Sequence, residues 1–167
     1  MSKIKAENEL ISLVKDLKGK GKKIVTFNGS FEILHVGHMR SIKEAKKQGD
    51  TLVVLVNSDR SVRMYKGPNR SIVQESERVE MLAALEDVDY VTVFNDINPK
   101  KILEKIKPDI HCNGSDWGRN CIERETVEKN NGRIHVLKWV KGYSTSNIVK
   151  NILNLYKKST VKAIFLD

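Results

Sequence analysis

Residues 23–49 read KIVTFNGSFEILHVGHMRSIKEAKKQG, and the order of residue types in this stretch decides the kind of fold. Ile24-Val25-Thr26-Phe27 is a short apolar run rich in β-branched side chains, which suits a buried strand. Asn28-Gly29-Ser30 breaks the run with turn residues. From about Val36 to Lys47, Met39, Ile42 and Ala45 recur at spacings of three, a helical period. His35 and His38 therefore stand three residues apart at a helix start, on one face. Free backbone N–H groups and the positive end of the dipole lie at that same end, where a phosphate prefers to sit. Strand, glycine turn, paired imidazoles and helix start together point to a site for an anionic phosphate. Such a pair can also be surface decoration, a satisfied core pair or a metal site. A structural zinc site wants two more ligands, and neither Cys112 nor Cys121 sits at a CxxC spacing.

The flanking sequence repeats the alternation. Glu7 to Leu17 carries Leu10, Leu13, Val14 and Leu17 on one helical stripe, closed by Gly19. Asp50 to Val56 is a second strand, apolar on both faces as parallel strands are, and it ends in Asn57-Ser58-Asp59-Arg60. Polar groups at such a strand end are where α/β proteins bind ligands; a plain Asx turn is the alternative. Ser61 to Val73 shows no period and is expected as a loop carrying Arg63, Lys66 and Arg70, a phosphate-clamping or lid segment. Glu75 to Leu85 is expected as a helix with Val79, Leu82 and Ala83 inward. Arg78 lies in its first turns, where a cation opposes the dipole, which hints at another duty.

Tyr90 to Phe94 is the third strand. Asn98 as cap and Pro99 as first residue open a helix buried through Ile102, Leu103 and Ile106. Asp109 to Asn113 is the fourth strand, followed by the polar loop Gly114-Ser115-Asp116-Trp117-Gly118. A short helix from Cys121 to Lys129 and a fifth strand from Arg133 to Val140 come next. Ser144-Thr145-Ser146 then precede a helix from about Asn147 to Tyr156, with Ile148, Ile152, Leu153 and Tyr156 as its apolar face. Hydroxyls there suit a helix cap, and after a strand and a glycine they repeat the opening layout. Five strands alternating with helices predict one α/β, Rossmann-like, doubly wound domain with a five-stranded parallel sheet. Residues 1–22 are expected to form a helix packed on the domain, 23–158 the domain itself and 159–167 a tail. No G-x-G-x-x-G or Walker A loop is present, which disfavours dinucleotide and P-loop chemistry.

Composition bounds the rest. The 167 residues are 40% apolar and 31% charged, with 30 Lys and Arg against 21 Asp and Glu for a net charge of +9. That suits one soluble domain. The positive charge is interleaved with acids along helix faces, with no RNP-like aromatic strand, so a nucleic-acid partner is not expected. No apolar run reaches the roughly 18 residues of a membrane span, and two cysteines make no disulfide framework. A cytoplasmic protein without a membrane partner is the expectation.

NGSFEILHVGH resembles the HxGH signature of the nucleotidyltransferase superfamily that includes cytidylyltransferases and adenylyltransferases. The resemblance runs from about Gly21 to Ile152 with its motifs in order. Tyr143-Ser144-Thr145-Ser146 looks like the second signature, of I-S-T-T type. Glu77-Arg78 corresponds to the arginine segment between them, and Gly114-Ser115-Asp116-Trp117 resembles the G-[GD]-D-[WY] nucleotide loop. Within the superfamily, GKKIVTFNGSFEILHVGH, VNSDRSVRMYKGPNRSI and GYSTSNIVKNI are most similar to the group that adenylylates D-glycero-β-D-manno-heptose 1-phosphate. Ser30 stands where that group has cysteine, Glu32 where it has aspartate, Ser71, just before Ile72, where it has proline, Asn113 where lysine is common and Ser146 where threonine is common.

The resemblance implies AMP transfer from ATP to a sugar phosphate with release of pyrophosphate, giving an ADP-sugar for cell-surface polysaccharide. It implies catalytic roles for His35, His38, Lys46 and Arg78, Lys46 on the acceptor's phosphate and Arg78 on the triphosphate. Nucleotide contacts are implied for Phe27, Asn28, Gly29, Ser30, Phe31, Gly37 and His38. Asn113, Gly114 and Asp116, with Ser144, Thr145 and Ser146, would complete them. Asn57, Asp59, Lys66 and Arg70 would bind substrate. Mg²⁺ is expected on the triphosphate, with no resident metal, and a homodimer is a possibility. A cytidylyltransferase for glycerol 3-phosphate or another polyol phosphate is the alternative, and a non-catalytic nucleotide-binding protein is the alternative of another class.

Overall fold

The computed structural model describes residues 2–115, 118–138 and 142–158. In chain order the elements are α1 (Glu7–Gly19), β1 (Ile24–Gly29), α2 (Val36–Lys46), β2 (Thr51–Asn57), α3 (Asp59–Lys66), α4 (Glu75–Ala83), β3 (Tyr90–Phe94), α5 (Lys100–Ile106), β4 (Ile110–Asn113), α6 (Arg124–Glu128), β5 (Arg133–Val136) and α7 (Thr145–Lys158). The five strands form one sheet in the order β3-β2-β1-β4-β5, and every pairing is parallel. The predicted fold class is therefore the observed one. The winding direction reverses between β1 and β4, so their carboxyl ends open a crevice.

Side-chain alternation along the strands supplies both layers. Val25, Phe27, Leu52, Val54, Val91 and Ile110 pack with Ile42 and Ala45 of α2 and Val79 and Leu82 of α4. On the other face Ile24, Val53, Leu55 and Phe94 meet Leu10 and Val14 of α1, Ile102 and Leu103 of α5, and Val127 of α6. Each fully buried side chain of this size stabilises the fold by about 1.5–3 kcal/mol. A polar pair lies within the apolar interior: Thr26 Oγ1 is 2.8 Å from Nδ1 of His111, which is wholly buried. Residues 3–5 cover the outer edge of β3, where Lys5 N donates to the Val91 carbonyl and Val91 N to that of Lys3. Pairing an exposed edge this way removes a template for aggregation.

Two expectations are corrected, and a third element differs from its neighbours. The stretch from Ser61 to Val73 is not all loop, because α3 occupies Asp59–Lys66. Ser58 caps it by accepting the Ser61 N–H at 3.1 Å, and Gly67, at φ 102°, ends it. The helix at Lys100 is capped one residue later than predicted, by Pro99, while Asn98 Oδ1 accepts the Lys100 N–H. The apolar face of α7 is not packed on the core: Ile152, Leu153 and Tyr156 are 45, 52 and 72% exposed. β5 ends at Val136, and the predicted extension through 139–140 and the tail 159–167 lie outside the described residues. Among the described residues, no helix is long and apolar enough to cross a membrane.

Candidate active site

Beyond β1 the chain turns sharply. Phe31 takes a left-handed φ of 47°, and its ring folds back over Gly29, meeting Phe27 edge-on at 5.5 Å and His38 at 5.3 Å. A Cβ on Gly29 would stand 3.1 Å from that ring. Both phenylalanines are core residues that support the site rather than line it. The turn delivers His35 to the N-cap of α2, where its Nδ1 accepts the His38 N–H at 3.4 Å. The two imidazoles then stack at 3.8 Å and 18°.

Two rings in such contact resist protonation. Burial, then the neighbouring His35 and the Lys66 charge, push His38 down to about 4. Burial also lowers His35, partly offset by its own backbone hydrogen bond. Both are neutral at pH 7. A neutral His35 that accepts at Nδ1 carries its proton on Nε2, which leaves one N–H to offer a ligand. His38 Nδ1 is buried without a partner, an arrangement that proteins rarely tolerate away from function.

The second helix start adjoins the first. A Cβ on Gly37 would meet the His35 ring at 2.9 Å and the Tyr143 Cβ at 3.0 Å, so only glycine lets the two segments close up. Arg40, one turn into α2, lies 5.3 Å over the Tyr143 ring, a contact with no signature in sequence spacing. Ser144 Oγ accepts the Asn147 N–H at 3.1 Å, so α7 begins at Thr145, two residues before the predicted start. Thr145 and Ser146 share a cavity of about 370 Å³ with Arg70, Val149 and Lys150.

Arg78 does not clamp a ligand as expected. It is wholly buried beneath the crevice, with its guanidinium committed to protein acceptors. Nε donates to the Val73 carbonyl, Nη1 to the carbonyls of Ser30 and Asn57, and Nη2 to Asp59 Oδ1 at 2.7 Å. It ties the ends of β1 and β2 to the start of α4, the other duty hinted at by its place in the helix. Asn57 and Asp59 are drawn into the same network. The Asn57 side chain is buried on Ser61 Oγ; Asp59, despite partial burial that raises it, is held below the usual carboxylate range by the Arg78 bond.

Lys46 is displaced further. Its ammonium donates to the Asp50 carbonyl at 2.7 Å and pairs with Asp89, whose carboxylate also accepts the Leu52 N–H. These residues precede β2 and β3, at the amino edge of the sheet, opposite the crevice. Two helical turns beyond His38 is about 12 Å along the axis. The expected contact with substrate is therefore excluded by position.

The cations that do face the crevice come from the end of α3 and the segment after it. Lys66 donates to Ser30 Oγ at 2.8 Å and pairs with Glu32 at 3.5 Å; desolvation lowers its pKa. Arg70 pairs with Glu32 through Nη2, and its Nε is buried without a partner. At the end of β4, Asn113 is buried, its amide donating to Glu123 at 3.4 Å and its carbonyl oxygen accepting the Gly114 N–H at 3.1 Å. Glu123 went unnoticed in the sequence because an acid in a short polar helix looks solvated. Ser115 Oγ is buried and unpartnered; Asp116 and Trp117 lie outside the described residues. Among the described residues no group of three or more metal-ligating side chains assembles, and the nearby acids Glu32 and Asp59 are consumed by cations.

The cytidylyltransferase-like family model matches residues 26–151. The chain is 42% identical over 156 residues to the bifunctional protein HldE of Citrifermentans bemidjiense, covering 93% of this chain and 32% of that protein. It is 43% identical over 148 residues to HldE of Hydrogenovibrio crunogenus, covering 88% and 31%. The chain thus spans about a third of the length of the curated relatives it matches. Among solved structures, the lipopolysaccharide core biosynthesis protein from Thermoplasma volcanium GSS1 is 30% identical at a TM-score of 0.62, covering 72% of this chain and all of that one. Pantoate-β-alanine ligase from Francisella tularensis, complexed with β-γ ATP and β-alanine, shares the fold at 19% identity and a TM-score of 0.60, covering 95% and 80%.

Proposed function

The chain belongs to the cytidylyltransferase-like family, and from that premise we propose that it transfers AMP from ATP to a sugar phosphate, heptose 1-phosphate, releasing pyrophosphate. The observation that carries the reading is the meeting of two helix N-termini around a neutral, stacked histidine pair. A phosphate oxygen of the sugar attacks the α-phosphorus of ATP in line. The new P–O bond forms as the bond to the β-phosphate bridging oxygen breaks, and pyrophosphate departs with that electron pair. No covalent intermediate with the protein is needed, so positioning and charge stabilisation carry the catalysis.

His35 donates from Nε2 and His38 from its free ring edge to oxygens that gain charge as the α-phosphorus reacts. The N–H groups at the start of α2 add to them. Ser144, Thr145 and Ser146 hold the outer phosphates at the start of α7. Lys66, beside His38, and Arg70, beside Thr145, supply the positive charge that Lys46 and Arg78 do not bring to the crevice. Arg78 acts through the backbone it ties. Mg²⁺ enters with ATP as part of the substrate, ligated by phosphate oxygens and water.

The likeness to HldE proteins and to a lipopolysaccharide core biosynthesis protein supports an ADP-sugar product for cell-surface polysaccharide. The test is pyrophosphate release from ATP, CTP, GTP and UTP, each with heptose 1-phosphate and with glycerol 3-phosphate. ATP with heptose 1-phosphate is expected to turn over fastest. Preference for CTP with glycerol 3-phosphate would install the cytidylyltransferase instead, and binding of nucleotide without turnover under any pairing would make this a non-catalytic member.

A further inference from the structure

We propose that Glu32 is a positioning residue, a buried carboxylate that anchors the segment 66–72 so that Lys66 and Arg70 stand over the phosphates. The proposal rests on the nucleotidyl-transfer reading above. The Glu32 side chain is 0% exposed, yet three donors from that one segment converge on it. Ile72 N donates to Oε1 at 2.8 Å, while Arg70 Nη2 and Lys66 Nζ share Oε2. An unpaired carboxylate at this depth would be strongly destabilising. Burial does raise Glu32, but the Arg70 hydrogen bond, the Ile72 N–H and the charges of Lys66 and Arg70 outweigh it and hold the group ionised.

Space filling would ask for an apolar side chain here, so the charge has a use. Lys66 and Arg70 side chains keep 30 and 28% of their surface open. Lys66 is close enough to depress His38. Arg70 spends Nη2 on Glu32 and leaves a buried Nε unpartnered, in the residue that faces Thr145 and Ser146 across the cavity. Long cationic side chains on a free loop lose considerable rotamer freedom on meeting a ligand. Held by Glu32, they have lost it before ATP arrives. Ser30 joins the device by accepting the Lys66 ammonium.

The test is a double-variant cycle read by calorimetric binding of magnesium ATP. Glu32→Gln is expected to weaken binding about tenfold while keeping a cooperative melt, and Glu32→Asp to recover part of the loss. Arg70→Gln should weaken binding similarly, and combining it with Glu32→Gln should add little, since coupled residues are not additive. Fully additive losses, or unchanged affinity in Glu32→Gln, would overturn the proposal and leave the functional reading standing. Hydrogen exchange across residues 66–72 reads the same anchor without nucleotide. It should accelerate tenfold or more in Glu32→Ala, and unchanged protection there would remove the anchor even if the wild type bound no ATP.

Discussion

At His38 a single ring is buried against His35 and Phe31, faces the Lys66 ammonium, and is pushed down to about 4. An imidazolium would attract phosphate more strongly in the ground state. A neutral N–H, already oriented, strengthens as charge develops on the reacting oxygens and so favours the transition state over the bound substrate. The sequence carried this pair plainly, since three-residue spacing at a helix start leaves few other geometries. Lys46 was read as a ligand of the acceptor's phosphate, whereas two turns of helix carry it out of reach of the histidines and onto Asp50 and Asp89. Replacing it, Lys46→Ala, is expected to leave kcat and both KM values within about threefold of wild type. Its loss should cost about 1 kcal/mol of stability, as a partly exposed ion pair does, measured by urea denaturation. A large rise in the KM for the sugar phosphate would restore it to the site. The burial of Arg78 was not legible, because three carbonyls and a carboxylate from distant segments must converge before a guanidinium can leave water.

Between elements, the decisive contact is α2 against the start of α7. Gly37 leaves room for the His35 ring and Tyr143 at once. Gly37→Ala should push one of them away and lower kcat/KM at least tenfold, with a thermal midpoint close to wild type, because the position lies at a helix end. Unaltered turnover in that variant would show that the two helix starts act independently. Helices were readable where an apolar stripe meets the sheet. α3 escaped because it buries only Ser61 and Val62 and leaves Met64 and Tyr65 largely in solvent; Ser58 and Gly67 bound it, but with no stripe between them the cap and stop looked like loop residues. The stripe of α7 identified a helix but not its surroundings, since amphipathicity states that a face is apolar and not what covers it.

Across the whole molecule, the parallel five-stranded sheet was legible in the alternation of short apolar runs with helices, with β1, β2 and β4 buried along most of their length, whereas the order β3-β2-β1-β4-β5 was not. That topology sets His111 in the middle of the sheet, where burial pushes it down to about 3. His38 and His111 are both depressed below their ordinary value near 6.5, so the unfolded chain binds protons that the folded chain refuses. Stability should therefore be level above about pH 6.5 and fall below it, by up to about 1.4 kcal/mol per pH unit for each histidine. The His38 contribution is exhausted near pH 4 and that of His111 near pH 3, while the depressed carboxylates Glu32 and Asp59 add losses of the same sign at the acid end. Urea titrations at pH 7.5, 6.5, 5.5 and 4.5 measure the slope, and a flat profile would mean these rings are hydrated. The most direct measurement of the central claim follows the label from ATP carrying radioactive phosphorus in its α-position, with heptose 1-phosphate as acceptor. The wild type should place that label in the sugar nucleotide with an equal amount of pyrophosphate, and His38→Ala, folded as judged by its melt, should do so about 10²–10³ times more slowly; label left in free ADP, or undiminished transfer by His38→Ala, would contradict the account.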